Sequence, residues 1–133
     1  MKIYFSEMTP KVIDLVRKRI NKLFEDTDKI SFTKHCEIRM KEKHISKKDI
    51  ANVLKSYYIV ECNTNSGDFR ALIRSNIHSR NNAQTCLCVS LINNKIITCY
   101  KNELDDNHST LRTDEYASPE EFGFEELLNK HSI

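Results

Sequence analysis

The spacing of hydrophobic positions changes along the chain, and the change divides it into a helical part and a strand part. From Thr9 to about Glu25, the residues Ile13, Val16, Ile20, Leu23 and Phe24 recur at helical spacing, with lysines and arginines on the other side. Thr9-Pro10 is the opening signal: a capping hydroxyl followed by proline at the first helical position. A second helix starts near Ser31 or Thr33 and ends near Lys43. Phe32, Cys36 and Met40 form its apolar stripe, and His35, Arg39 and Lys43 lie beside them at the border of core and solvent. A third helix, over 46–56, begins at Ser46-Lys47-Lys48-Asp49, which approximates a capping box, and buries Ile50, Val53 and Leu54.

From Tyr57 the period drops to two. Four strand-like runs follow, YYIVEC, FRALIRSNI, QTCLCVSLI and KIITCYK. They are separated by a turn at Asn65-Ser66-Gly67-Asp68, a polar loop from His78 to Ala83, and a tight Asn93-Asn94 turn. Short links favour an antiparallel meander within 57–102. Glu103 to Ala117 reads as loop, and Ser118-Pro119 opens a last helix to about Asn129. The expected fold is α+β: a four-stranded antiparallel sheet with the N-terminal helices packed on one face and an added C-terminal helix. The 133 residues suit a single domain, 1–133, with 103–133 as an extension.

Composition adds little to this until its distribution is considered. Hydrophobic residues at 39% and charged ones at 30% describe an ordinary globular chain, and a net charge of +2 does not announce nucleic-acid binding. Yet Lys41, Lys43, Lys47 and Lys48 cluster near the His–Arg segment, while the carboxylates gather after Asp105. These are either two solvated surfaces or a binding face with a tail that shields it. The five cysteines have neither CxxC spacing nor a compact His/Cys set, so reduced thiols without disulfide or zinc are expected. No apolar run is long enough to span a bilayer and MKIYFSEM lacks a signal-peptide core, so a cytoplasmic location with no membrane partner is expected.

The candidate chemistry lies on two elements. His35 exchanges protons near neutrality and Arg39, one turn later, offers a planar fork for a phosphate. On the strands, Arg70 and Arg74 share a face, as do Thr98 and Tyr100, opposite Ile97 and Cys99. If the sheet buries Ala71, Ile73, Ile97 and Cys99 under helices, it presents Arg70, Arg74, Thr98 and Tyr100 together. A proton-transfer group, cations and hydroxyls are what a metal-free phosphodiester chemistry needs. No Walker loop, HExxH, GxSxG or paired-carboxylate cluster is present, which removes the usual NTPase, zinc-protease and esterase readings.

The run F-T-x-H-x-x-x-R-M-x-x-K-x-I-S-x-x-D-I-x-x-V-L, with an arginine-bearing strand and a closing I-I-T-x-Y strand, resembles a small bacterial domain. That domain is similar to the RelE, barnase, EndoU and colicin-D group of metal-independent ribonuclease toxins. The resemblance covers about Phe32 to Lys101. His35, Arg39, Met40, Ile45, Ser46, Asp49, Thr98 and Tyr100 match directly, whereas Cys36 stands where a small residue is usual and Lys43 where arginine is.

The resemblance implies an endoribonuclease toxin or effector, with RNA as substrate and an antitoxin or host protein as possible partner. A ribose 2′-hydroxyl would attack the adjacent phosphate and leave a 2′,3′-cyclic phosphate. His35 would be the general base or acid, Arg39 and Arg70 would hold the phosphate, and Thr98 and Tyr100 would orient it. Lys41, Lys43, Arg74 and Lys101 would extend the RNA-binding surface, with no metal or cofactor. The alternative is a non-catalytic phage or mobile-element protein that binds nucleic acid or blocks a host protein. In the catalytic reading, His35 and Arg39 converge with Arg70, Thr98 and Tyr100 on one cleft.

Overall fold

A computed structural model describes residues 2–25, 30–64, 67–78 and 83–103 of the chain. The elements run β1 (Lys2–Tyr4), a 3-10 turn (Phe5–Glu7), α1 (Pro10–Leu23), β2 (Ser31–Phe32), α2 (Lys34–Lys43), α3 (Lys47–Lys55), β3 (Tyr57–Asn63), β4 (Arg70–His78), β5 (Ala83–Ser90) and β6 (Lys95–Glu103). The expected helix at 119–129 and the loop before it lie outside the described residues.

The class is α+β, as expected, but the sheet is larger than the meander. Its strands lie in the order β1-β3-β4-β5-β6-β2. The four central strands pair antiparallel, β1 adds antiparallel to β3, and β2 adds parallel to β6. The expected four-stranded antiparallel sheet is therefore corrected to a six-stranded mixed one. Both additions are short edge strands that pair with residues more than fifty positions away. Such pairing leaves no periodic mark in a two- or three-residue run.

Each helix is started by its own side chain. Thr9 Oγ1 accepts from Val12 N at 3.3 Å, and Pro10 follows at the first turn. Thr33 Oγ1 accepts from Cys36 N at 3.1 Å. Ser46 and Asp49 complete a reciprocal capping box, at 3.1 Å and 2.8 Å. All three helices contribute to one core, with Val12, Val16 and Ile20 from α1, Cys36 from α2, and Ile50 and Val53 from α3. They meet Ile3, Ile59, Cys62, Ala71, Ile73, Leu87, Val89, Ile96 and Cys99 from the sheet. Phe32, expected on the apolar stripe of the second helix, instead sits in β2, where it packs partly buried against this core.

A bulge in β6 fixes how α2 meets the sheet. Val89 pairs with Ile96 and Cys88 with Thr98, so Ile97 is an extra residue without a cross-strand partner. It is therefore Ile96, and not Ile97 as the alternation suggests, that joins Cys99 in the core. Thr33 grips this bulge: its N–H donates to Ile96 O at 3.0 Å and its hydroxyl donates to Ile97 O at 2.6 Å. One residue thus caps the helix and ties it to the strand.

Thr33→Val keeps the shape and removes the hydroxyl, deleting a cap and leaving the Ile97 carbonyl without that donor. It should lower unfolding stability by about 1–2 kcal/mol in a urea titration. Thr9→Val, which removes only a cap, should cost less. Equal costs for the two would mean that the Ile97 bond contributes nothing.

Candidate functional site

The register divides the sequence-expected site into two groups on opposite faces of the sheet. Arg74 pairs with Cys86, and Cys86 with Tyr100; Leu72 pairs with Cys88, and Cys88 with Thr98; Arg70 pairs with Ser90. These positions all point away from the helices, so Arg70, Arg74, Thr98 and Tyr100 share one face, as the alternation implies. Between them lies a second apolar cluster of Val60, Leu72 and Cys86, with Tyr4, Tyr58 and Tyr100 packed against it. Val60 follows Tyr58 onto this face by alternation, and a register shift after Ile59 places Glu61 opposite Leu72 here as well and returns Cys62 to the main core.

His35, Arg39 and Lys43 lie on α2, which packs on the other face. The helix seats Cys36 in the core beside Cys99. Thr98 and Tyr100 flank Cys99 in sequence and so project to the opposite side. The expected convergence of His35 and Arg39 with Arg70, Thr98 and Tyr100 is not formed. His35 is exposed, and Arg39 forms a half-exposed pair with Glu42 at 3.5 Å. The stripe of His35, Arg39 and Lys43 does belong to one helix, and that helix packs on the Cys99 side of the sheet.

The two arginines of the sheet face also differ from expectation. Arg74, expected on an open RNA-binding surface, is 1% exposed. Its Nε donates to Gln84 Oε1 at 2.8 Å, and Gln84 Nε2 donates to Ser75 O at 2.8 Å, so the guanidinium is part of a buried polar network. Arg70 remains partly exposed, but its Nε is held by Asp68 Oδ2 at 2.9 Å. Asp68 is itself buried and accepts from Phe69 N and from Ser90 Oγ, both at 2.8 Å. Gln84 carries no distinctive sequence signal because Arg74 reaches it from the neighbouring strand, and Asp68 reads as a turn residue, its contact with Ser90 lying across the strands. Tyr100 is half-buried, and burial together with the neighbouring Cys86 thiol pushes its hydroxyl well above its ordinary value. That group stays protonated and suits a hydrogen-bond role better than proton transfer.

Other cations of the described residues are open to solvent, and several of them follow one another on α2 and α3. Lys34, Lys41, Lys43, Lys47 and Lys48 are exposed on α2 and α3, beside His35 and His44, and Lys101 is exposed near the end of β6. The stretch Lys34–Asp49 holds six lysines and arginines against three carboxylates. Of those carboxylates, Glu42 is paired with Arg39 and Asp49 caps α3.

All five cysteines are free thiols and four are buried. Burial pushes Cys36 up to about 12 and Cys88 up to about 11, and raises Cys62 and Cys99 as well. Among the described residues, no group of histidines, cysteines or carboxylates is arranged to hold a metal ion, and no helix is long and apolar enough to cross a membrane. Comparison with known proteins returns no matching family model, no matching curated protein and no matching solved structure.

Two outcomes follow from these environments. Arg74→Ala should destabilise the fold by about 3 kcal/mol or more, since it empties a buried site and takes the donor away from Gln84 Oε1; weaker binding with unchanged stability would contradict its buried role. Thiols raised in the folded state stabilise it fully below their ordinary value near 9. That contribution disappears as pH rises from about 9 toward 12, because the unfolded chain gives up protons first. Urea midpoints should therefore fall between about pH 8.5 and 10.5, and Cys36→Ala should flatten the slope.

Proposed function

We propose that this chain is a nucleic-acid-binding protein that uses the outer surface of α2, α3 and the turn joining them. The observation that carries this reading is the set of exposed lysines at 34, 41, 43, 47 and 48 on two consecutive helices. Carboxylates there are half as many as the cations, and two of the three are engaged. Ammonium groups at such spacing neutralise phosphates and release counterions, which gives affinity without base recognition. His35 and His44 add hydrogen-bonding groups to the same surface.

The catalytic alternative, a metal-independent ribonuclease, keeps one favourable observation: Arg70, Arg74, Thr98 and Tyr100 lie on one face of the sheet. Against it, His35 faces elsewhere and Arg74 is engaged in the interior. Binding by the helical surface needs neither to move.

The test is binding of labelled RNA and DNA at several salt concentrations, with RNA integrity read on the same samples. Wild type should bind with a steep salt dependence and leave the RNA intact. Lys34→Glu/Lys43→Glu/Lys48→Glu should abolish most binding and reduce the slope of log K against log salt by roughly 0.7–0.9 for each phosphate no longer neutralised. RNA cut by wild type and spared by Arg70→Ala would overturn this reading in favour of the ribonuclease. Salt-independent or undetectable binding would overturn it outright.

A further inference from the structure

We propose that the hollow where β2, α2 and α3 meet receives one unstacked base of a single-stranded nucleic acid. This specification rests on the nucleic-acid reading above and names the form of ligand that the surface selects. The hollow has a volume of about 310 Å³ and is lined by Phe32, Glu37, Met40, Lys41, Ile45 and Lys47. That size falls at the small end of ligand pockets.

Backbone geometry builds it. β2 pins Phe32 beside Ile96, and Thr33 then turns the chain into α2. At the far end of α2, His44 takes a left-handed conformation with φ 54°, and Ile45 N donates back to Met40 O at 2.9 Å. This tight reversal brings Ile45 and Lys47 back toward Phe32, and the Lys47 ammonium lies 6.0 Å from the centre of the Phe32 ring.

The chemistry of the lining selects the occupant. Phe32, Met40 and Ile45 supply apolar walls, one of them aromatic, which suits a flat neutral ring. Bases of single strands stack on such side chains, whereas a duplex keeps its bases stacked on each other. Lys41 and Lys47 line the hollow and are exposed, and their ammonium groups would neutralise phosphates on either side of the inserted base. The Glu37 carboxylate on the lining disfavours a phosphate inside the hollow, which leaves the base as the part that enters.

The test uses the full chain and three labelled probes of one sequence: a single strand, the same strand with abasic positions, and the duplex. Anisotropy titrations should show the single strand binding more tightly than the duplex. The abasic strand should bind about tenfold more weakly, the reduction expected for one base–aromatic stack. Phe32→Leu keeps the apolar filling and removes the ring, so it should weaken the intact strand by a similar factor and leave the abasic strand unchanged. Equal affinity of wild type for intact and abasic strands overturns the base pocket, and that comparison needs no variant to fold. If those two strands and the duplex all bind equally, the pocket fails while the nucleic-acid reading stands. If none binds, the pocket fails together with that reading.

Discussion

The two hydrogen bonds from Thr33 to the bulge of β6 set where α2 sits on the sheet. An extra residue at Ile97 leaves carbonyls at Ile96 and Ile97 facing the sheet edge, and Thr33 takes both while capping α2. The helix is thereby held at one position along β6, with Cys36 over Cys99. Because β2 ends one residue earlier, the same anchor stops the parallel edge strand after two pairs. The placement of α2 then fixes the His44 turn, the start of α3 and the hollow lined by Phe32, Met40 and Ile45.

That seating determines what the charged residues can do. Strand alternation sends Thr98 and Tyr100 to one side and Cys99 to the other, so a helix packed on Cys99 cannot bring His35 to the tyrosine. The face turned away from α1, α2 and α3 carries Arg70 and Arg74 but uses them internally, with Asp68 and Gln84 as partners. A guanidinium buried at this depth is costly unless hydrogen-bonded, and the Gln84–Ser75 relay supplies part of what it needs. The lysines of α2 and α3 have no such engagement forced on them by burial. Exposed positive charge therefore gathers on the helical side of the molecule.

The elements that carry local signals are legible in the sequence. Thr9-Pro10, Thr33 and Ser46 through Asp49 each mark a helix start by a side chain within three residues of its partner. The four central strands are equally plain, since YYIVEC through KIITCYK are rich in β-branched and aromatic residues and are bounded by turn signals. Long-range pairings are not legible. β1 and β2 are too short to show a period, and Phe32 at four residues from Cys36 mimics a helical stripe. The bulge at Ile97 is invisible because Ile96 and Ile97 are the same residue type, and either one fits the core. Arg74 reads as a surface cation because nothing in FRALIRSNI indicates that Gln84 lies across the sheet from it. The grouping of Arg70, Arg74, Thr98 and Tyr100 on one face is legible from strand alternation. The face that receives α2, and with it His35 and Arg39, is set by long-range packing that leaves no local mark.

The separation of the α2 stripe from the Thr98–Tyr100 face is the claim on which the rest turns. Side-chain proximities measured by nuclear Overhauser spectroscopy on isotope-labelled protein test it directly. The account predicts cross-peaks between the Cys36 and Cys99 methylenes, and between the Tyr100 ring and the side chains of Leu72 and Cys86. A cross-peak between the His35 imidazole and the Tyr100 ring would contradict it.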